Sequence, residues 1–560
     1  MKLPCRTSET GVGELRFGGA TLDEFDYIII GAGSAGSVLA NRLSAGDTTV
    51  CLLEAGGPDR NLFIHMPAGF IKTLANPRLN WLYETEPSEG TAGRGIPTPR
   101  GKTLGGSSSI NGHIYNRGQR MDFDTWAQMG NRGWGFADVV PYFRRSERRI
   151  GDGDDTYRGR DGELVVTDVD RRDPVTDAFI DGAVRYGIPR GLDYNGAVQE
   201  GVGYFQRTIH NGRRVSTARA FLNPVRRRPN LEIQTGVQVT RIVFQGRRAT
   251  GVFCRRDGTQ REVRARREVL LAAGAIASPQ ILQVSGIGPA DLLTDIGVAP
   301  VQVLPGVGEN LSDHFGVRLS ARLANIETIN ERSKGLPLAV EALKYALLRK
   351  GVLAQSPGIA VALCKSNPGL DYPDLQVIFA PASYKESAVY ELDDFPGMTT
   401  GVWPMRPESR GYVQARSANT GDKPLIQPNY LEAEADRHLL LDGMRLARRL
   451  LQSQKLSEWY VHETSPGESA QSDDELLNFA RERGTTIFHL MGSCKMGPSQ
   501  DAMAVVSDEL KVHGLEGLRV VDASIIPTAH SANTNAATIM IAEKAADMIL
   551  GKPPLPAAPV

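Results

Sequence analysis

The sequence lacks the features that would place it in several functional classes. Cysteine is scarce: Cys5, Cys51, Cys254, Cys364 and Cys494 are an odd number, widely scattered, with no Cys-x-x-Cys pair. That spacing argues against a zinc ligand set or a disulfide framework, and it fits a reducing, cytoplasmic compartment; no metal is expected. Net charge is also missing. Lys+Arg and Asp+Glu number 64 each, which removes the usual electrostatic argument for nucleic acid or an anionic membrane as partner. Basic runs such as Arg226-Arg227-Arg228 read as solvated faces. Long apolar runs are absent as well: the stretches at 27–30 and 268–273 fall far short of the about 18 residues that span a bilayer, so no membrane span is expected. The first 22 residues carry no apolar core of a signal peptide and, with their neighbours, read as a flexible lead over residues 1–24. There is no internal repeat or low-complexity tract, and the Pro-rich tail at 553–560 is expected to be loose.

Glycine, by contrast, is abundant, at 60 of 560 residues. The backbone must therefore turn sharply or approach something closely at several places. A chain of this length divides into two or three packed units and buries a large core without cross-links.

The first informative segment begins with Tyr27-Ile28-Ile29-Ile30, a short continuous apolar run of the kind found in strands buried on both faces. Gly31-Ala32-Gly33-Ser34-Ala35-Gly36 follows at once, then a helical stretch at 37–43, then a second strand at 49–53 closed by Glu54. This is a complete strand–GxGxxG–helix–strand–acid unit. Gly31 makes the tight turn, Gly33 lets backbone meet a pyrophosphate at the helix N-terminus, and Gly36 permits close helix–strand packing. Glu54, 18 residues past Gly36, can accept hydrogen bonds from a ribose. The unit predicts dinucleotide binding but does not by itself separate NAD from FAD.

Three further stations follow. Residues 100–113 are rich in Gly and Ser, which suits a close-approach loop. Residues 274–288 follow the buried strand at 268–273; Ser278 as N-cap with Pro279 at the first helical position predicts a helix start, and Gly286 and Gly288 its end. Near the C-terminus, 518–522 reads as a strand delivering Asp522, and 536–550 as a helix preceded by Asn533-Thr534-Asn535 as capping chemistry.

On these residues the chain resembles the glucose–methanol–choline (GMC) flavin oxidoreductases, from Asp26 to Leu550. The match rests on the Gly31–Gly36 fingerprint with Glu54-Ala55-Gly56-Gly57, the loop at 100–111, the segment at 274–288, the run His489-Leu490-Met491-Gly492-Ser493-Cys494-Lys495-Met496-Gly497, and the closing Val521-Asp522-Ala523-Ser524 with Asn533-Thr534-Asn535. Within the family it is most similar to the choline-dehydrogenase-like and hydroxymethylfurfural-oxidase-like branch.

The resemblance implies FAD. It places Glu54 at the adenosine ribose, Asn111, Gly112 and His113 along the flavin and the backbone of Val239 at the adenine, and it counts Gly31, Gly33, Ser34, Ala35, Gly36, Ala55, Leu104, Gly106 and Ile114 among the cofactor-binding residues. Asp522 and Ala523 would meet the ribitol and pyrophosphate end, Asn535 would cap the helix beside the flavin pyrimidine ring, and Thr534 is counted among the cofactor-binding residues. Some members of the family attach FAD through a histidine of the glycine-rich loop; that place holds Ile110 here, so non-covalent FAD is expected.

Oxidising an alcohol needs a base for the hydroxyl proton and a partner that orients the oxygen, while the α-hydride passes to flavin N5. Histidine suits the first task and an amide the second. Of nine histidines, His489 opens the family's catalytic motif, and the second catalytic position falls on Asn533. His489 is thus the expected general base and Asn533 its partner, with His530 as rival for a role near the site. Choline-specific relatives carry a glutamate shortly after an Asp-His pair; here Asp313-His314 is followed by Phe315-Gly316-Val317. The expected substrate is therefore a neutral primary alcohol, aromatic and furanic alcohols included, oxidised to the aldehyde with O2 or an external electron acceptor. A choline-type dehydrogenase and a non-redox lyase on the same fold are the alternatives, and the oligomeric state stays open.

The expected fold is α/β, α+β overall. A Rossmann-like FAD-binding domain at 25–165, 215–320 and 480–560 joins a substrate-binding domain at 166–214 and 321–479 with an antiparallel sheet covered by helices. Residues 374–379 and 411–415 alternate like antiparallel strands, and 340–349 and 432–451 read as amphipathic helices. Phe379, Tyr384 and Trp403 are candidates for core or pocket wall.

Overall fold

The computed structural model describes residues 24–191, 193–385 and 391–560. The expected lead lies outside these residues except for Glu24, which opens the first strand. In chain order, the elements that build the site are β1 (Glu24–Ile30), α1 (Ser34–Leu43), β2 (Val50–Glu54), β3 (Gly201–Tyr204), β4 (Leu231–Thr235), β5 (Gln238–Gln245), β6 (Arg248–Arg256) and β7 (Thr259–Leu271). They continue with α2 (Gly274–Val284), β8 (Phe315–Leu323), α3 (Gly335–Leu348), β9 (Ala360–Cys364), β10 (Leu375–Ala380) and β11 (Gly397–Pro404). The last are α4 (Glu434–Leu451), β12 (Tyr460–Ser465), β13 (Thr485–Thr486), β14 (Leu518–Val520) and α5 (Thr534–Ile549).

The first seven-stranded sheet runs β4-β2-β1-β7-β6-β5, with β14 alongside β7. Strands β4, β2, β1, β7 and β14 are parallel, and β5–β6–β7 form an antiparallel meander. Parallel strands covered on both faces tolerate no polar alternation, so Ile28, Ile29, Leu52, Val269 and Leu270 are wholly buried. Ile30 pairs with both Leu53 and Leu271, which brings the C-terminal ends of three strands to one level. Ligands of doubly wound sheets bind in the crevice outside such ends. Helices α1 and α5 are tied by Arg42, whose guanidinium reaches Glu543 at 2.9 and 2.7 Å. Glu543 is fully buried, and Arg145 supplies a second cation at 2.7 Å, so its charge is compensated.

The second sheet runs β12-β8-β11-β10-β9-β3 with β13 on β8, and all its pairings are antiparallel. Alternation gives it two distinct faces. Leu319, Val377, Phe379 and Val402 join Leu440, Met444 and Ala447 of α4 in one apolar core. Arg318, Ile378, Thr399, Gly401 and Trp403 face the other way, into the large cavity between the sheets. Phe379 is thus core, stacked on Phe179 with ring centroids 4.3 Å apart, whereas Tyr384 and Trp403 line the cavity. Strand β8 spans position 320, so the expected boundary at 320/321 falls within a strand of the second sheet, and the one at 479/480 falls within the helix Asp473–Arg483.

Several local expectations change. Helix α2 begins at Gly274, with Pro279 inside it and Ser278 turned to a different task. Proline removes the N–H that would bond the Ala275 carbonyl; the Ser493 hydroxyl donates to that oxygen instead, at 2.6 Å, and keeps the helix continuous. Helix α5 begins at Thr534, so Asn535 lies within its first turn and accepts from the Ser34 hydroxyl at 2.6 Å, while the N-cap Asn533 spends its side chain elsewhere. Residues 412–414 pair with Leu425–Gln427 in a separate hairpin outside the main sheet, because Leu311 holds Gly411 by backbone hydrogen bonds. The tail is docked: Ala558 N–H donates to Ala137 O at 2.9 Å and Leu555 N–H to the Tyr142 hydroxyl at 3.1 Å. Helix α3 starts five residues before 340, and its outward face is apolar rather than polar. Among the described residues no helix is long and apolar enough to cross a membrane, and no cluster of side chains could hold a metal ion.

Candidate active site

The cavity lies at the C-terminal ends of β1, β2 and β7, roofed by the second sheet. Its empty volume, solvent-open parts included, is ≈ 2640 Å³. The cavity extends from Gly31 and Glu54 at one end to His489 and Asn533 at the other. Glycines shape its floor. A Cβ on Gly31 would stand 2.7 Å from the Ala272 carbonyl oxygen, and one on Gly36 would overlap the Gly31 carbonyl, so turn and helix close up only because both side chains are missing. Gly33 has open space beside it. Gly106, at φ +51°, packs over it so closely that a Cβ would sit 2.7 Å from the Gly33 Cα. The two glycine-rich loops therefore meet face to face.

Helices α1 and α5 both begin at this cavity, and neither N-cap side chain bonds its own helix. Their free N–H groups and positive dipole ends are available to negative charge in the cavity, which is what a pyrophosphate or an electron-rich ring requires. At the far end Glu54 accepts from Ala32 N–H and Gly56 N–H, both at 2.8 Å, one on each carboxylate oxygen. Burial pushes its pKa up to about 7. The remaining lone pairs are placed for a diol. The donor set thus fits FAD: a carboxylate for the ribose, two helix N-termini, and loops stripped of side chains where a flat ring must lie.

At the other end three polar side chains form a line. His314 Nε2 lies 2.7 Å from the Met405 carbonyl oxygen, His314 Nδ1 lies 2.8 Å from His489 Nδ1, and His489 Nε2 lies 2.8 Å from Asn533 Nδ2. A carbonyl only accepts, so His314 carries its proton on Nε2 and presents a bare Nδ1 when neutral. His489 must then donate from Nδ1, which leaves its Nε2 lone pair facing the Asn533 amide. Burial keeps His314 neutral, pulling its pKa down to about 4. His489 is also pulled well below the ordinary histidine value, first by burial, then by His314, His530 and Arg100. The unprotonated, accepting form of His489 Nε2 is thus the resting state.

Local folding explains the placement. Segments 312–316 and 485–491 run antiparallel, with Phe315 opposite Thr486 and Ser312 opposite Met491, which sets the two histidines side by side. Asp313 accepts from His489 N–H at 2.8 Å and from the Tyr430 hydroxyl at 2.6 Å, clamping the backbone. Phe488 adopts φ +69°, a left-handed conformation that a bulky residue takes only under constraint, and so turns His489 toward the cavity.

Of the residues expected at the site, Gly31, Gly33, Ser34, Ala35, Glu54, Ala55, Gly106, Asn111, Gly112, His113, Ile114, Val239, His489, Asp522, Ala523, Asn533, Thr534 and Asn535 line this one cavity; Gly36 and Leu104 lie behind it. Asp522 is occupied as a strut, accepting from Gly274 N–H, the Ser278 hydroxyl and Ser524 N–H at 2.6–2.8 Å. The Val239 carbonyl accepts from Thr420. His113 is buried with both ring nitrogens unpartnered, and burial lowers its pKa well below the ordinary value. His530 sits behind the wall, edge-on to Trp126 at 6.3 Å. Sequence reasoning missed His314 as the partner of His489, and the cavity cations Arg100 and Arg318. The Asp313-His314 pair was the only signal for the first; nothing in the sequence marks the other two.

Residues 25–316 and 407–542 match the N-terminal and C-terminal family models described as GMC oxidoreductase. Over 535 residues, 95% of both chains, the sequence is 43% identical to a protein of Vibrio vulnificus named oxygen-dependent choline dehydrogenase. A protein of Brucella ovis with the same name is 42% identical over 533 residues, 95% of this chain and 96% of that one. Among solved structures, pyridoxine 4-oxidase from Mesorbium loti is similar with a TM-score of 0.86 and 31% identity, covering 94% of this chain and 100% of the other. Formate oxidase from Aspergillus oryzae, in a structure concerned with FAD modification, gives 0.87 at 25% identity over 94% and 98%.

Proposed function

The chain belongs to the GMC oxidoreductase family and is an FAD-dependent alcohol oxidoreductase, and on that footing we propose that it oxidises a primary alcohol to the aldehyde with His489 as general base and Asn533 as the group that orients the hydroxyl. The observation that carries this reading is the 2.8 Å contact between His489 Nε2 and the Asn533 amide at the wall of the cavity. His489 Nε2, unprotonated at neutral pH, takes the hydroxyl proton. The entering alcohol displaces the Asn533 amide from that lone pair, and Asn533 Nδ2 then donates to the alcohol oxygen; an amide does this without titrating. When bound, FAD supplies the acceptor for the hydride leaving the alcohol carbon. Gly31, Gly33, Ser34, Ala35, Glu54 and Ala55 would hold its ADP part, and Gly106, Asn111, Gly112, His113, Thr534 and Asn535 its ring. Ile110 offers no nucleophile for a covalent bond, so the cofactor is held non-covalently.

The substrate end is apolar and aromatic: Phe70, Trp81, Tyr83, Tyr384, Trp403 and Phe488 line the cavity. Among the described residues the acids on its wall are Glu54, at the ribose end, and the fully bonded Asp522, while Arg100 and Arg318 add positive charge. An uncharged alcohol suits such walls. The 43% identity to a protein named for choline favours that substrate as a second reading, with the aromatic rings as a cage for the quaternary ammonium. The test is anaerobic bleaching of the bound flavin by a panel of neutral aromatic and furanic alcohols and choline, followed by peroxide measurement in air. Bleaching by none of them would discard the proposal. Bleaching by choline alone would select the second reading, and peroxide yield separates O2 from another acceptor.

A further inference from the structure

Helix α3 presents an apolar face to solvent. Leu336, Val340, Leu343 and Leu347, spaced i, i+4, i+7 and i+11, are 79, 59, 61 and 72% exposed, and Ala339, Ala342 and Ala346 between them are exposed too. Only Glu341 and Tyr345 of the helix are buried. They tether it: the Glu341 carboxylate accepts from Val352 N–H at 2.9 Å, and the Tyr345 hydroxyl donates to Gly212 O at 3.0 Å. The usual pattern, polar outward and apolar inward, is inverted.

Charge around the helix is asymmetric. Lys344, Arg349 and Lys350 stand at its C-terminal end, and the segment joined by Tyr345 adds Arg213 and Arg219. Residues 205–222 and 342–358 contain no Asp or Glu, and the acid of the helix, Glu341, lies 3.8 Å from Lys344 and offsets that one cation. The chain's overall neutrality hides this local positive field. The helix also borders the cavity: Val352–Ala354 packs on Pro67–Gly69, and Phe70, Ile71, Pro357 and Gly358, which follow these two turns, line the cavity wall.

We propose that α3 is an in-plane anchor whose leucine face enters the surface of a bilayer carrying anionic lipid, with Arg349, Lys350, Arg213 and Arg219 against the headgroups. Charge favours an anionic bilayer: Arg349 and Lys350 follow the apolar face and Arg213 and Arg219 lie on the segment tethered to it. A bilayer needs no matching surface, and an apolar face with flanking basic residues is what its interface accepts.

The test is sedimentation of the FAD-loaded enzyme with vesicles of phosphatidylcholine, with and without phosphatidylglycerol, alongside light scattering for mass. The wild type should partition to the anionic vesicles and release as salt shortens the about 10 Å screening length of 0.1 M solution. Lys350→Gln with Arg213→Gln should lower partitioning about 25-fold, at about fivefold per basic residue. Leu343→Glu and Leu347→Glu should each lower it roughly tenfold or more, with turnover of a water-soluble alcohol unchanged. A wild type that stays in solution with anionic vesicles at low salt overturns the proposal. So does a dimer that Leu343→Glu splits, since a second copy would then cover the face, and so does undiminished binding by the leucine variants.

Discussion

His314 touches neither cavity nor substrate in the arrangement described, yet removing it should slow the reaction. Its bare Nδ1 is the acceptor that keeps the His489 proton on Nδ1 and the lone pair on Nε2. In His314→Ala the His489 Nδ1–H loses that acceptor inside a buried site. An unsatisfied buried donor costs about 1–3 kcal/mol. If the productive tautomer must be recovered against that cost, flavin reduction slows about 5- to 150-fold. His314→Asn is the informative partner, because its Oδ1 stands where Nδ1 stood and can accept the same proton. It should recover much of the rate although it loses the bond to Met405 O. The assay is anaerobic stopped-flow reduction at saturating alcohol, with KM and FAD content measured alongside; both should change little. A His314→Ala enzyme with wild-type reduction rate, or an Asn variant slower than the Ala variant, would refute the tautomer argument.

Other outcomes follow from the same geometry. His489→Ala should retain FAD and slow flavin reduction about 10²–10⁴-fold, the usual worth of base catalysis; Asn533→Ala should slow it by less, and bleaching at the normal rate in the first variant would remove the base assignment. Gly106→Ala puts a side chain 2.7 Å from the Gly33 backbone at positive φ, and strain of about 1–3 kcal/mol should appear as a lowered FAD-to-protein ratio after gel filtration. Acid precipitation should release the flavin into the supernatant; yellow colour remaining with the pellet would contradict non-covalent binding. Stability should fall between pH 6.5 and 5. Unfolded histidines titrate near 6.5, whereas buried His314 and His530 resist protonation to about pH 4 and His113 and His489 are also lowered. The unfolded chain therefore takes up protons that the fold refuses, at about 2 kcal/mol per histidine by pH 5. Glu54, raised to about 7, acts in the opposite sense and offsets one of them. A urea midpoint that is flat or rising on acidification would refute the buried neutral imidazoles.

Much of the dinucleotide end was legible in the chain because its chemistry is local. Strand, turn, helix start and acid all lie between Phe25 and Ala55, and each rests on a backbone need that only certain residues meet. The strand reads as apolar because both faces are covered, and Gly31, Gly33 and Gly36 sit where a side chain would strike backbone or fill the crevice. The helix starts were less legible. Ser278-Pro279 has the composition of a helix beginning, but the helix runs through it because Ser493, 218 positions beyond Ala275, bonds the carbonyl that proline leaves free. The tail at 553–560 looked loose from its prolines, yet it is held by Tyr142 and Ala137, which composition does not reveal.

By itself the sequence determined the nucleotide unit, which depends on residue type at short spacing, while His489 and Asn533 were singled out through the family resemblance of their motifs. Tertiary structure alone decided that His314 meets His489, that Arg318 and Trp403 point into the cavity while Val317 and Val402 point into the core, and that the outer face of α3 is uncovered. The physical reason is range. Backbone preferences and glycine clearances act within a few residues, whereas a ring's tautomer, a strand's facing and a helix's partner are set by groups that folding brings together from distant parts of the chain.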